Sequence, residues 1–217
     1  MTPDLSALAD NAGLLWQGLG LSALLVLAGS GGGLAVGLVL ALMRGARSRL
    51  LRAPAAAYVT VMRSVPLILV LFWFYFMAPL ATGHPVGALP AALIAFVLFE
   101  AAFYCEIARA GLAAIPPGQA AAAAATGLTR AQALRLVILP QAVAATVPLL
   151  VSQVVILFQD TSLVYVVSLR DFLTAASIVA SRDDRPVELY GFVAIVYFVI
   201  CLAGSLLAGR ARGAVAR

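Results

Sequence analysis

The chain has 217 residues, of which 64% are hydrophobic and only 11% charged, a balance far more apolar than a soluble globular domain carries. Its formal net charge of +5 would suit a nucleic-acid binder in water, but all 14 basic residues are arginines and they cluster beside apolar runs. That arrangement excludes nucleic acid as a partner and reads as topology in a lipid bilayer.

The N-terminus is acidic, with Asp4 and Asp10, and lacks the basic segment of a cleavable signal peptide, so the first apolar stretch is expected to stay in the membrane. Uncharged runs cover 11–43, 136–159 and 189–209, and two further apolar stretches carry isolated charges. A span needs roughly 20 apolar residues, so the pattern predicts five helices at about 21–43, 55–80, 88–110, 139–160 and 189–209. The expected fold class is all-α, a polytopic membrane protein forming a single transmembrane domain over residues 1–217.

In the first helix, Gly29, Gly31, Gly32, Gly33 and Gly37 read as a packing face, because small residues let helices approach closely in lipid. A phosphate-cradling loop is excluded, since the chain contains no lysine. Arg44, Arg47, Arg49 and Arg52 follow without an acid among them, and Arg210, Arg212 and Arg217 follow the last span. Both clusters belong on the cytoplasmic side. Five spans then place the N-terminus outside, the 111–138 loop inside and the 161–188 segment outside. The inner loop carries Arg130 and Arg135, whereas the outer segment mixes Arg170, Arg182 and Arg185 with Asp171, Asp183, Asp184 and Glu188.

Arg63 falls within the second span, where an unpaired guanidinium costs about 2.5 to 3.5 kcal/mol on translocon scales. Two accounts stay open: snorkelling with hydrogen bonds to carbonyls freed by Pro66, or a place on a translocation pathway, where a positive charge suits an acidic substrate. In the third span, Glu106 and Arg109 are spaced to pair with each other. Glu100 has no such neighbour, and equal counting along antiparallel helices predicts an ion pair with Arg63. Gln153, Gln159 and Asp160 at the outer end of the fourth span complete the candidate pathway or gate residues. Cys105 and Cys201 lie in apolar runs and are read as free thiols. His84 is expected in a solvated loop, and no G-x-S-x-G or H-E-x-x-H occurs. Catalysis, a metal and a cofactor are therefore not expected.

The most informative stretch runs from Ile115-Pro116-Pro117-Gly118-Gln119 through six alanines and Thr126-Gly127-Leu128-Thr129 to Val137-Ile138-Leu139-Pro140. Proline suits a helix start, alanine its body, and Gly127 a left-handed stop. Thr129 with Gln132 three residues on reads as a capping box opening a second short helix. A compact alanine-rich hairpin between spans points to a docking surface for another protein, or to an interfacial amphipathic pair.

Residues 121–140 resemble the cytoplasmic E-A-A, three residues, Gly, nine residues, I-x-L-P motif of ABC-importer permeases. Ala122, Ala123, Gly127, Leu139 and Pro140 match in register, Val137 stands for the isoleucine and Ala121 replaces the glutamate. Glu100-Ala101-Ala102 is not that motif, because nothing follows it at the right distance. The resemblance implies that the loop at 116–138, with Gly118 and Gln119 at its start, forms the coupling helix seated on a partner ATPase.

Over about 55–209 the chain is similar to the polar-amino-acid branch of type I importers. Met62-Arg63-Ser64-Val65-Pro66-Leu67, Glu106-Ile107-Ala108-Arg109-Ala110-Gly111, Leu139-Pro140-Gln141-Ala142 and Phe158-Gln159-Asp160-Thr161-Ser162-Leu163 carry that likeness. It implies separate ABC ATPase subunits, a second permease subunit, identical or paralogous, and an extracytoplasmic amino-acid-binding protein, all at a bacterial inner membrane. Overall similarity points to glutamate and aspartate as cargo, with glutamine or histidine as alternatives. A self-contained channel or secondary transporter is the rival, although five spans without an inverted repeat are few for one.

Overall fold

The structure, a computed structural model, describes residues 6–215, so Asp4 and Arg217 lie outside it. Every regular element among those residues is helical. In chain order they are α1 (Ser6–Asp10), α2 (Ala12–Gly45), α3 (Arg49–Ser64), α4 (Leu67–Phe72), a π-helical turn (Trp73–Met77), α5 (Ala78–Thr82) and α6 (Ala88–Ala113). There follow α7 (Pro117–Ala125), α8 (Arg130–Ala133), a second π-helical turn (Leu134–Ile138), α9 (Leu139–Asp160), a 3-10 turn (Thr161–Val167), α10 (Phe172–Asp183) and α11 (Pro186–Val215).

The spine of the fold is α2 against α6. Along α2 the buried residues are Leu15, Gly18, Ser22, Leu25, Gly29, Gly33 and Gly37, a spacing of three or four that keeps one face inward. A Cβ on Gly33 would lie 2.8 Å from the Glu100 Cβ, and one on Gly37 2.8 Å from the Ala101 carbonyl oxygen. Only glycine lets these two backbones come so close. Gly29 and Gly32 also meet α6, whereas Gly31 faces open space and is not part of the packing face. Leu25, Leu71, Phe96, Leu157 and Val164 close the main core where α2, α4, α6, α9 and the 3-10 turn converge. The last helix buries little of itself, and Ile195, Phe198, Val199, Leu202, Leu206 and Leu207 remain exposed along it.

The second span is not the continuous helix expected over 55–80. It breaks at Val65 and Pro66, and the segments Arg49–Ser64 and Leu67–Thr82 are bent by 109°. Proline disfavours helical geometry in the residue before it, and Val65 is accordingly extended, at φ −116 and ψ 138. Four helices are long and apolar enough to cross a membrane, or five if the bent pair is one span.

One further expectation changes. The second loop helix is not separate, because Arg130–Val167 forms one helical run that continues through the π turn into α9. The 161–188 segment packs back into the bundle. Thr161 and Asp171 are fully buried, and the Phe172 N–H donates to Ser22 Oγ on α2 at 3.3 Å.

Candidate functional site

Arginines meet one carboxylate at one end of the α2–α6 pair. Arg44 lies in the last turn of α2, and the glycine-mediated contact of α2 with α6 carries its guanidinium to Glu106, to which Nη1 donates. The same Arg44 nitrogen is 3.9 Å from Cys105 Sγ. From the end of α3, Arg63 Nη1 lies 3.6 Å from the same Glu106 oxygen, with its guanidinium 5.7 Å above the Phe103 ring, within cation–π reach. The expected ion pair between Arg63 and Glu100 is therefore absent. The break at Pro66 ends α3 at the level of Glu106, about 1.7 helical turns from Glu100, and Arg63 takes the nearer acid. Nor does Glu106 pair with Arg109: cross-helix arginines occupy it, and Arg109 Nε is buried with no hydrogen-bond partner among the described residues.

Glu100 is instead buried completely. Its two oxygens accept from Gln153 Nε2 at 3.2 and 3.1 Å, which joins the middle of α6 to α9. An amide supplies donors without a charge, so this contact gives the carboxyl oxygens a hydrogen-bond donor but does not neutralise the group. Farther along α9, Gln159 Nε2 donates to Cys201 Sγ on α11 at 3.4 Å, and Asp160 ends the helix half-buried. Gln153 and Gln159 thus point to different neighbours. Both cysteines are free, Cys105 buried and Cys201 partly so.

The helical loop follows its sequence closely. Proline opens α7, and Gly127 has φ +84, the left-handed conformation that stops a helix. Leu128 N donates to the Ala123 carbonyl at 3.2 Å and Gly127 N to that of Ala124 at 3.0 Å, the double bond of a Schellman stop. Thr129 and Gln132 make the reciprocal capping box. Gly118, Ala121, Ala122, Ala124 and Ala125 are exposed, and only Ala123 of α7 is buried. Gln119 is half-buried because it faces α9, where Gln141 Nε2 donates to its Oε1 at 3.3 Å. Leu139 and Pro140 are exposed where the π turn passes into α9, and the missing Pro140 N–H falls at that irregular turn of the helical run.

At the junction of α10 and α2, Arg182 Nε donates to Asp183 at 2.8 Å, and Nη2 donates to Asn11 Oδ1 at 2.6 Å. The Arg182 guanidinium holds the Asp183 carboxyl below the usual carboxylate range.

Sequence reasoning missed Arg44 and Gln141 as site residues. The sequence marks Arg44 only as part of a topological charge cluster, and its partner depends on the register of α2 on α6. Gln141 stood within a recognised motif but without a role.

The described residues form an all-helical bundle of apolar, membrane-length helices, with a bent helix pair in second place and a helical stop and cap between spans. Residues 33–217 match the family described as binding-protein-dependent transport system inner membrane component. The chain belongs to that family, as a multi-pass, inner-membrane permease of the ABC type. It is 51% identical over 160 residues, 70% of this chain and 71% of the other, to the glutamate/aspartate import permease protein GltK of Escherichia coli O6:H1. To the probable glutamine ABC transporter permease protein GlnM of Bacillus subtilis it is 33% identical over 206 residues, 94% of each chain. Among solved structures it resembles the crystal structure of an amino acid ABC transporter with histidines, with TM-score 0.88 and 31% identity, covering 96% of this chain and 97% of that one.

Proposed function

We propose that this chain is the membrane subunit of an ATP-driven importer for acidic amino acids, glutamate and aspartate. The observation that carries this reading is the 51% identity over 160 residues with a glutamate/aspartate permease. In this reading an extracytoplasmic binding protein delivers the amino acid to the outer face formed by this chain and a second permease subunit. Two separate ATPase subunits bind α7 and its stop, so that Gly118, Gln119, Ala122, Ala123, Gly127, Leu139 and Pro140 convey their closure to the membrane helices.

The physical support for docking is the exposure of α7. Alanines leave the helix surface smooth and accessible, while the Schellman stop and the capping box fix its direction without help from a partner. Replacement of the motif glutamate by Ala121 removes one polar contact but leaves this shape intact. The candidate pathway residues divide by their surroundings. Arg63 stays 46% exposed at its side chain beside the break, where a dicarboxylate would find a partly neutralised cation. Glu100 and Gln153 are closed off and act as an internal joint, and Gln159 and Asp160 border the 3-10 turn as gate residues.

The test is substrate-stimulated ATPase activity of the reconstituted complex, with its binding protein, across a panel of amino acids. Glutamate and aspartate are expected to stimulate most strongly. Stimulation by glutamine instead would favour the second reading, which rests on the likeness to the glutamine permease over 94% of the chain.

A further inference from the structure

We infer that Gln141 is a positioning residue for coupling: its side-chain amide is the strut that fixes the exposed loop helix α7 to the membrane helix α9. The inference deepens the docking reading given under the proposed function and rests on it for its functional half. Three observations lead to it.

First, α7 has almost no apolar grip. Its body is alanine, and Ala123 alone is buried, so little more than one methyl group holds it against the rest of the chain by burial. A single polar contact then carries an unusual share of the fixation. Second, that contact exists and joins the right elements, Gln141 Nε2 of α9 donating to Gln119 Oε1 of α7 at 3.3 Å. Third, its direction is determined. The same Nε2 donates to the Val137 carbonyl at 2.8 Å. A carbonyl can only accept, so the Gln141 group facing it is the amide NH2, and Gln119 must present its oxygen.

The position of Gln141 gives the strut its leverage. It sits one residue past Pro140, where the π-helical turn Leu134–Ile138 gives way to α9. One proton of the amide ties down a carbonyl of that turn and the other holds α7. A displacement of α7 is thereby passed to the base of α9, whose far half carries Gln153 against Glu100. Without the strut, a displacement of α7 would reach α9 only through the turn at Gly127 and the helix that follows it.

The directionality yields a discriminating set of variants. Gln119→Glu keeps an acceptor and is expected to keep the strut. Gln119→Met removes the acceptor and Gln141→Met the donors at nearly constant volume. Two measurements are made on each. Hydrogen exchange of the permease in lipid nanodiscs reads α7 directly, and the ATP hydrolysed per amino acid imported reads coupling in the reconstituted complex with its ATPase subunits. In Gln141→Met and Gln119→Met, the amides of residues 118–125 are expected to exchange about fivefold faster, as the loss of one net hydrogen bond implies, with the inner half of α9 unchanged. More ATP should be spent per amino acid in both, with the ATPase subunits still bound, and the double variant should be no worse than either single one. Gln119→Glu should match the unmodified protein in the exchange of α7, because the acceptor that the strut needs is kept. Unchanged exchange in α7, or strictly additive losses in the double variant, would overturn the strut. Faster exchange with unchanged coupling would leave the strut standing and overturn the docking reading instead.

Discussion

Glu106 and Gly127 concentrate most of the consequences that single residues carry. Glu106 accepts Arg44 and lies 3.6 Å from Arg63, so Glu106→Gln strands two guanidinium groups at once. Their side chains are 17% and 46% exposed, which places the loss between that of an exposed and a buried pair, about 1 to 3 kcal/mol. Arg63→Met should cost less, under about 1 kcal/mol, because its half-exposed charge is screened. Thermal unfolding of the detergent-extracted protein measures both, and equal losses would contradict the shared-carboxylate geometry. At Gly127, a Cβ would meet nothing within 4 Å, but φ is +84. Gly127→Val therefore strains backbone alone, at about 1 to 2 kcal/mol. The expected result is an inserted protein whose ATPase partner is poorly stimulated, with Gly127→Asn recovering most activity because asparagine tolerates the left-handed region. Equal activity of the valine and asparagine variants would argue against a backbone cause.

Among the elements, the α2–α6 interface separates two glycines of similar sequence context. Gly37→Ala would place a methyl 2.8 Å from both the Ala101 carbonyl oxygen and the Tyr104 Cβ, and overpacking of this kind costs about 1 to 3 kcal/mol. Gly31→Ala meets open space and gains up to about 1 kcal/mol in helix propensity. Opposite shifts in melting temperature are expected, and a stabilising Gly37→Ala would show that the helices are not in close contact there. These elements also mark the limit of what the sequence disclosed. The Schellman stop at Gly127, the Thr129–Gln132 box and most of the glycine face were legible because each depends on residues within one turn or on one helical period. The break at Pro66 was half legible: the proline was noticed, but not that Val65 would turn extended and swing the second half through 109°. The partners of Arg63, Glu100 and Glu106 were not legible. They depend on the register between helices, and the Arg63–Glu100 expectation failed because equal counting along two straight rods does not survive a break in one of them.

For the whole molecule, topology bears on the proposed docking, which requires α7 on the side where ATP is available. The arginine clusters at 44–52 and 210–217 place that side at the ends of α2 and α11. A cysteine introduced near Arg47 should be protected from an impermeant reagent in intact cells and labelled after permeabilisation. Labelling in intact cells would invert the arrangement and remove α7 from its partner. The central claim is that this chain forms a pathway for acidic amino acids only as part of an ATP-driven assembly. It is tested most directly by uptake of labelled glutamate and aspartate into proteoliposomes holding the permease subunits, with and without the ATPase subunits, in the presence of the binding protein. The account predicts uptake that requires ATP and the ATPase subunits, and that excess unlabelled aspartate suppresses more than histidine does. Uptake of the same size by the permease subunits alone would contradict it.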